Sequence, residues 1–527
     1  MESIVDVVAL VAISVLGAAL ARRLGFVAPL VLLVAGLALS FVPGMPEAHL
    51  DPDLVLIGIL PPLLYTAALE TSVPAFRRAL RPILLLAVGL VLFTAFAVGI
   101  VLHVLLPQFP FAACVALGAI IAPPDAVSAT AIAKRIGLPR RVVTILEGES
   151  LLNDASALVL VRVATAALAG ASVGFWPIAG QVVLKAGGGV VLGLAAAWIA
   201  AKLHRKIEDS LLDDAVSLLT PFVVVIVAEE LKTSSLVAVV IAGLYLGHRM
   251  PYLLSPTSRL QMEAVWRMIT FLLEGIVFLL VGLQLRTVGS DIETSVGTTV
   301  GVTVAVIGTL LVTRFIWMYP ATYLPRLLPR IRGREERPPI TVPTVIGWAG
   351  MRGVVTLAAA QTLPEPNPDP KNFVPDYPIN LFVFIAFAVI VVTLLLQGTT
   401  LSWLAVRLGV RQDNTTADAL AEAGVQHQAS RAALEALEAN ADGAPTSVVD
   451  RLRALVESRS NNAWERLGSQ QQETPSAAYG RLRREMIGAE RRVFKIARNE
   501  GRIPEEVLTR AQRDLDLEES LLQRSDD

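Results

Sequence analysis

Long apolar stretches separated by short polar segments fill the first 410 residues of the chain. The hydrocarbon core of a bilayer takes about 20 apolar residues of helix per crossing, so each such stretch predicts a transmembrane helix. The stretches begin near residues 4, 26, 54, 82, 111, 142, 179, 213, 233, 268, 296, 341 and 380. The pattern predicts an all-α polytopic membrane protein with about 13 transmembrane helices.

Basic residues are unevenly distributed among the loops that join these predicted helices. The odd-numbered loops carry 20 Lys and Arg residues, whereas the even-numbered loops carry 3. Cytoplasmic loops are enriched in Lys and Arg, so we expect an outside amino terminus, a cytoplasmic carboxyl terminus and an odd number of crossings of the cell membrane. Arg22 and Arg23 follow the first apolar stretch rather than precede it, which indicates a retained helix and not a cleaved signal peptide.

The apolar stretches stop after Arg407, and residues 411–527 are rich in Ala, Glu, Arg, Leu and Gln. Leu and Val recur there at helical spacing, while residues such as Gly443 and Pro475 interrupt the pattern. We therefore expect a transmembrane domain over residues 1–410 and a cytoplasmic helical tail over residues 411–527.

Composition agrees with a membrane protein. Hydrophobic residues make up 54% of the chain and charged residues 17%, with a mean hydropathy of +0.60, which is outside the balance of soluble domains. A net charge of −1 provides no basic field for nucleic acid. The single cysteine, Cys114, excludes a disulfide framework and a cysteine-based metal cluster.

The fifth predicted helix contains Pro123, Pro124 and Asp125 in mid-segment. Because proline has no N–H, the two prolines interrupt the helix and leave carbonyl oxygens free. A carboxylate beside free carbonyls has the chemistry of a cation site, and a charge inside a span is costly enough to indicate function. The alternative is a kinked helix in which Asp125 only caps the second half.

Four polar residues lie near the start of the sixth predicted helix. Glu149 shares a face with Asn153, and Ser150 shares the neighbouring face with Asp154, because residues four apart lie one above the other on a helix. Ser150 and Asp154 are thereby placed to offer oxygens to one ion. The alternative is a helix start with solvated acids, which suits Glu147 better than Asp154, two turns further inside.

Two arginines lie within later predicted helices and need counter-charges there, Arg314 in the eleventh and Arg352 in the twelfth. Glycines surround Arg352, so we expect the twelfth helix to be interrupted like the fifth. Interrupted helices at corresponding positions of two halves are typical of transporters with inverted repeats. Helices 1–6 and 8–13 are therefore predicted to form two inverted six-helix repeats.

Three ordered motifs carry a family resemblance. They are Ala-Pro-Pro-Asp-Ala-Val at 122–127, Glu-Gly-Glu-Ser-Leu-Leu-Asn-Asp at 147–154 and Gly-Met-Arg-Gly-Val-Val at 350–355. In these motifs the chain resembles the sodium/proton antiporters of the monovalent cation:proton antiporter 1 family, the bacterial relatives of animal sodium/proton exchangers. The resemblance covers residues 1–410 and implies a homodimeric transporter in the lipid bilayer rather than an enzyme.

The resemblance also implies roles for the polar residues of the fifth and sixth helices. Asp154 is implied to carry the cation and the proton in turn, and Asp125 and Ser150 are implied to line the site. Asn153 is implied to belong to the same cation- and proton-binding set and to mark the electroneutral branch, which has Asn-Asp where electrogenic relatives have two Asps.

Further roles follow from the same resemblance. Glu149 and Arg314 are implied to form a buried structural ion pair, and Arg352 is implied to neutralise the break in the twelfth helix. The chain departs from many relatives in the third helix, where they have an acid shortly after Leu-Pro-Pro and this chain reads Leu-Leu-Tyr-Thr. Glu70, one turn further, is the candidate replacement, together with Thr66.

These roles lead to a mechanism of competition at Asp154. A monovalent cation, Na⁺ first and K⁺ or Li⁺ as alternatives, prefers oxygen ligands, and burial favours the protonated carboxyl group, so cation and proton exclude each other. No cofactor and no metal beyond the transported cation are expected. A channel or an anion transporter using Arg314 and Arg352 is the alternative function. An intramembrane aspartyl protease is disfavoured because its Gly-x-Gly-Asp motif is absent.

Overall fold

A computed structural model describes residues 4–42, 51–169, 175–290, 294–332, 337–367, 374–410, 415–465 and 474–526. Within these ranges the chain is helical, and no β-strand is present beyond an isolated bridge between Asn367 and Val374. The contacts divide the chain into two compact units, Met1–Gln412 and Asp413–Asp527. Arg334 and Lys371, two of the loop residues used to predict the orientation, lie outside the described residues.

The first unit contains the helices that correspond to the apolar stretches. Two short π-helical segments, Leu54–Ile59 and Leu85–Leu90, continue directly into the α-helices that follow them. The helices are α1 (Ile4–Leu24), α2 (Ala28–Leu39), α3 (Leu60–Glu70), α4 (Val73–Leu84), α5 (Val91–Leu105), α6 (Phe111–Ile121), α7 (Ala126–Arg135), α8 (Arg140–Leu168), α9 (Phe175–His204), α10 (Ser210–Glu230), α11 (Ser235–Leu253), α12 (Pro256–Leu283), α13 (Leu285–Ser290), α14 (Val296–Tyr323), α15 (Pro329–Arg332), α16 (Thr341–Trp348), α17 (Val354–Gln361) and α18 (Ile379–Arg407).

Many of these helices have the dimensions of membrane spans. Among the described residues, eight helical segments are long and apolar enough to cross a membrane, judged by length and composition. Three shorter apolar helices accompany them: α2, the segment Leu54–Glu70 and α6. The prediction of an all-α protein with multiple membrane spans is therefore confirmed.

The helices continue beyond the apolar stretches into the basic segments between them. The hydropathy pattern predicts a loop for Arg77, Arg78 and Arg81, but all three lie on α4, and Arg259 and Arg267 lie on α12. Hydropathy marks only the apolar part of a helix, whereas Arg is a good helix former that extends it. The prediction of these segments as loops is wrong.

The interruptions predicted in the fifth and twelfth helices are present. Residues 122–125, which include the two prolines, separate α6 from α7. Residues 349–353, which include Gly350 and Gly353, separate α16 from α17. Neighbouring helices pack closely beside these breaks, because a Cβ atom on Gly118 of α6 would collide with the carbonyl oxygen of Ala95 on α5.

The second unit, Asp413–Asp527, consists in its described part of two helix pairs. Arg483 and Glu518 join the second pair, with Nε to Oε1 at 2.6 Å and Nη2 to Oε2 at 2.7 Å. These hydrogen bonds from Arg483 lower the pKa of the Glu518 carboxyl group. The helices are α19 (Thr415–Ala439), α20 (Thr446–Glu465), α21 (Pro475–Asn499) and α22 (Glu505–Asp526).

Candidate functional site

Asp125 lies in the break between α6 and α7 and caps α7. Its carboxylate accepts hydrogen bonds from the backbone N–H groups of Val127 at 3.3 Å and Ser128 at 3.0 Å. Its own N–H donates to the carbonyl oxygen of Met351 at 2.6 Å, so the two interrupted helices are joined directly. Capping leaves lone pairs on both carboxylate oxygens, and Asp125 also lines the cavity described below.

Arg352 fills the space between the two breaks and is 1% exposed. Its Nε and Nη2 donate to the carbonyl oxygens of Ile121 and Ala122, both at 3.0 Å, and Nη1 donates to the carbonyl oxygen of Gly350. The guanidinium thus satisfies carbonyls that the end of α6 leaves without partners. The resemblance implies that Arg352 neutralises its own break, whereas two of these three bonds go to the break after α6.

Ser150 and Asn153 of α8 contact the same break. Nδ2 of Asn153 donates to the carbonyl oxygen of Pro124 at 2.9 Å, and Oγ of Ser150 donates to it at 3.4 Å. Asn153 is 0% exposed and is not among the residues that line the cavity, whereas Ser150 lines it. The structure therefore places Ser150 on the wall of the cavity and Asn153, predicted above as part of the ion-binding set, behind that wall.

Asp154 follows directly on α8 and is 7% exposed. Its carboxylate makes no hydrogen bond or ion pair with any described residue, and it lines the cavity. A buried carboxylate without protein donors is costly to keep charged. Such a group is therefore chemically suited to bind either a proton or a cation.

The cavity that reaches Asp154, called the site cavity below, has a volume of about 410 Å³. Helices α3, α7, α8, α12 and α17 form its wall. It brings Asp125, Ser150 and Asp154 together with Thr66 and Glu70 of α3. The polar side chains on its wall are Thr66, Glu70, Asp125, Thr130, Lys134, Glu147, Ser150, Asp154, Arg267, Thr270 and Glu274.

Thr66 and Glu70 lie one turn apart on α3. Oγ1 of Thr66 donates to the carbonyl oxygen of Pro62 at 2.8 Å, which leaves its lone pairs for another contact. Glu70 ends α3 and is exposed. Glu147, for which a solvated helix start is the alternative given above, forms an ion pair with Lys134 at 3.0 Å. Glu70 and this pair thus lie at the exposed end of the site cavity.

Glu274 of α12 is an acid of the site cavity that is not among the site residues predicted above. It lies within the apolar run Phe-Leu-Leu-Glu-Gly and lines the site cavity with Asp125 and Asp154. The available signal was the cost of an acid inside an apolar span. Several other acids share that signal, and sequence alone does not tell which of them faces the same cavity.

Glu149 and Arg314 form a buried bidentate ion pair in which each side chain is 1% exposed. Nη1 of Arg314 donates to Oε1 at 2.7 Å and Nη2 donates to Oε2 at 3.0 Å. Arg314 also donates to the carbonyl oxygens of Gly347 and Ile346 at 3.1 and 3.2 Å. The pair links α8 to α14 and to the end of α16, and neither residue lines the site cavity.

Known proteins resemble this chain over most of its length. The family described as "Sodium/hydrogen exchanger, transmembrane" matches residues 9–407. The chain is 34% identical over 526 residues to an uncharacterized Na⁺/H⁺ exchanger of Mycobacterium tuberculosis (strain ATCC 25618 / H37Rv), covering 98% of this chain and 95% of that protein. It is 29% identical over 384 residues to a sodium, potassium, lithium and rubidium/H⁺ antiporter of Bacillus subtilis (strain 168), covering 71% of this chain and 57% of that protein.

The fold has a counterpart among solved structures. It matches the sodium proton antiporter MjNhaP1 from Methanocaldococcus jannaschii with a TM-score of 0.60 at 19% sequence identity, covering 77% of this chain and 99% of that one. At this identity the likeness concerns the fold alone. The sequence matches carry the relationship further: the chain belongs to the sodium/hydrogen exchanger family, whose members are transporters of the monovalent cation:proton antiporter class.

Proposed function

We infer that the protein is a secondary active antiporter that exchanges a monovalent cation for H⁺, with Asp154 binding the two ions in turn. The observation that carries this proposal is the environment of Asp154. Its carboxylate is buried, has no described hydrogen-bond partner and lines a cavity of about 410 Å³. An ion can therefore reach and leave this carboxylate through the cavity, because no described basic side chain is paired with it.

Competition between the two ions follows from the chemistry of the site. A hard monovalent cation prefers carboxylate, hydroxyl and carbonyl oxygens, which Asp154, Asp125 and Ser150 supply around the break. A proton on Asp154 removes the charge that holds the cation. Each ion therefore displaces the other, and rocking of one helix bundle against another would open the site to each side in turn.

The exchange is proposed to be electroneutral, with Na⁺ as the cation expected first. Asn153 carries no charge and its amide is already bonded to Pro124, so Asp154 is the one group of this residue pair that can change charge. One cation against one proton then moves no net charge. K⁺ and Li⁺ are the alternatives, and the name of the Bacillus subtilis relative includes both ions.

The proposal includes an architecture in the cell membrane. It has thirteen crossings in two inverted six-helix repeats, an outside amino terminus, a cytoplasmic carboxyl terminus and a homodimeric assembly. Residues 1–410 form the transport domain and residues 411–527 a cytoplasmic tail. The hydrogen bond between Asp125 and Met351 supports paired repeats, because it joins the interrupted helix of one half to that of the other.

A channel or an anion transporter that uses Arg314 and Arg352 is the rival function. Both guanidinium groups are 1% exposed and already donate to carbonyl oxygens, and Arg314 also donates to Glu149. Neither residue lines the site cavity. Five acids line this cavity against two basic side chains, Lys134 and Arg267, and Lys134 is paired with Glu147, so the geometry favours cation transport.

Proton release on cation binding tests the competition directly. We expect NaCl added to purified protein in weakly buffered detergent solution to release about one H⁺ per bound cation, because the ligand must be deprotonated. The release should be largest at low pH and vanish at high pH, where Asp154 is already ionised. Asp154→Asn should release none, whereas Asp209→Asn, at the exposed cap of α10, should behave like the unmodified protein. Equal release from Asp154→Asn would refute the proposed site.

A further inference from the structure

A second cavity, of about 280 Å³, lies against the part of α8 that follows Asp154. The site cavity contacts α8 within residues 147–154, whereas the second cavity contacts it within residues 155–166. Residues of α9 and the start of α11 complete its wall. The two cavities share no lining residue, so the second cavity is separate from the proposed cation site.

Two cationic side chains line the second cavity, Arg162 of α8 and Lys185 of α9. Neither side chain makes a hydrogen bond or ion pair with any described residue. The nearby acid Glu229 accepts a hydrogen bond from Ser235 at 3.1 Å and is not among the lining residues. Arg162 is exposed and Lys185 is half-buried, so both charges are open to a ligand in the cavity, and an anion bound between them would interact with both.

The remaining polar groups of the wall also suit an anion. Gln181, Ser234 and Ser235 provide amide and hydroxyl donors. Helix α11 begins at Ser235, and its N-cap, Ser234, makes no side-chain capping bond. The positive end of the α11 peptide dipole therefore lies at the same cavity as the two cations.

The wall is held in place by close packing of α9 against α11. The N–H of Ser234 donates to the carbonyl oxygen of Lys185 at 3.1 Å. One turn further along α9, a Cβ atom on Gly189 would lie 2.7 Å from the carbonyl oxygen of Ser234, so only glycine allows this approach. The backbone that carries Lys185 and the start of α11 is thus positioned before any ligand arrives.

The position of the cavity along the spans indicates the class of ligand. Lys185 lies two residues inside the apolar segment Val183–His204, and Ser235 is the first residue of the segment Ser235–Leu253. The side chains of Val183 and Leu184 beside the cavity are 70% and 75% exposed, as expected of a surface facing lipid tails. Phospholipid phosphates lie at the boundary between lipid tails and water, so a head group is within reach of this cavity.

We propose that Arg162 and Lys185 form a binding site for a phosphate-bearing anion, supplied either by the head group of an anionic phospholipid or by free phosphate. The anion accepts hydrogen bonds from both cationic side chains and bridges α8 to α9. A guanidinium and an ammonium provide charge-assisted hydrogen bonds to phosphate oxygens, which are stronger than bonds between neutral groups.

Thermal unfolding of the full-length protein in a neutral detergent tests the site with three probes. These are phosphatidylglycerol, zwitterionic phosphatidylcholine and inorganic phosphate, each titrated separately. The test variant is Arg162→Gln/Lys185→Gln. The matched control is Lys202→Gln/Arg286→Gln, which removes the same two residue types from positions outside the cavity. Native mass spectrometry counts the lipid molecules retained by each protein, and neither readout depends on ion exchange.

We expect phosphatidylglycerol to raise the unfolding temperature of the unmodified protein and of the control variant more than phosphatidylcholine does. Its apparent affinity for the test variant should be at least about tenfold weaker, which corresponds to about 1.4 kcal/mol. Stabilisation by inorganic phosphate with the same dependence on Arg162 and Lys185 would support the site and assign it to a soluble anion. If the double variant does not fold, the single variants Arg162→Gln and Lys185→Gln replace it under the same criteria.

Two results would overturn the proposal. One is that neither phosphatidylglycerol nor phosphate stabilises the unmodified protein. The other is that stabilisation and lipid retention are unchanged by neutralising Arg162 and Lys185, since the anion would then bind elsewhere. A charge-conserving swap, Arg162→Lys/Lys185→Arg, should retain most of the binding if charge rather than packing holds the ligand.

Discussion

At the residue scale, the ion pair between Glu149 and Arg314 gives the strongest prediction about stability. Both side chains are 1% exposed, so Glu149→Gln would leave the Arg314 charge buried without its counter-ion. Breaking a buried pair in this way costs roughly 3–5 kcal/mol. We expect Glu149→Gln to lower the unfolding temperature of the purified protein clearly. Glu435→Gln, which breaks an exposed pair with Arg431, should change stability by less than about 1 kcal/mol. Equal effects of the two substitutions would contradict this account.

Glu274 gives a second prediction at this scale. It adds an ionisable acid to the wall of the site cavity without contacting the break in α6–α7 through any described hydrogen bond. Acids that line a cavity raise the local concentration of cations. We expect Glu274→Gln to raise the KM for the cation several-fold and to leave most of the maximal exchange rate. Glu263→Gln, an exposed acid on the same helix, should change neither quantity. A complete loss of exchange in Glu274→Gln would instead place Glu274 among the ion ligands.

Helical spacing accounts for how much of the site could be predicted at this scale. Residues 149 and 153 share one face of α8 and residues 150 and 154 the next, so spacing alone predicts that Ser150 and Asp154 face the same side. The donation from Asn153 to Pro124 depends on how α8 packs against another helix, and that packing has no signature in the local sequence. The position of Glu274 also depends on helix packing, because it lines the site cavity from α12, and the local sequence therefore does not predict it.

At the scale of the elements, the break between α16 and α17 depends on Gly353. A Cβ atom at this position would lie 2.7 Å from Cβ and 2.8 Å from Cγ of Asp125. We expect Gly353→Ala to displace the Asp125 carboxylate and to reduce exchange strongly while the protein still inserts and folds. Gly301→Ala on α14, where no atom lies within 4 Å of the added carbon, is the matched control. Normal exchange by Gly353→Ala would show that Asp125 does not need its observed position.

The interrupted helices also show where prediction from sequence stops. Paired prolines and clustered glycines act on the local backbone, so both breaks could be located from sequence. Their direct contact, through the Asp125 N–H and the Met351 carbonyl oxygen, joins distant parts of the chain. The hydrogen bonds from Arg352 to the carbonyl oxygens of Ile121 and Ala122 likewise depend on how the helices pack, which the local sequence does not indicate. The extent of α4 was missed because its first turns are amphipathic rather than uniformly apolar.

At the scale of the whole molecule, the chain divides into two units, and every described residue of the site cavity belongs to the first. We therefore expect a chain that ends after Val410 to retain cation-dependent proton movement with the same ion preference. The measurement is the rate of exchange in proteoliposomes across a range of pH. A shifted pH profile would assign a regulatory role to the tail, and an unchanged profile would remove that role. Loss of exchange in a folded truncated protein would contradict the proposed division at residue 410.

The most direct test of the central claim is ion exchange in proteoliposomes that contain a pH-sensitive dye. Na⁺, K⁺ or Li⁺ is added across an imposed pH gradient, with and without a clamped membrane potential. We predict proton movement that depends on the cation, is insensitive to the potential and is absent in Asp154→Asn. Proton movement that persists in Asp154→Asn, or no movement with any of these cations in folded unmodified protein, would contradict exchange at Asp154.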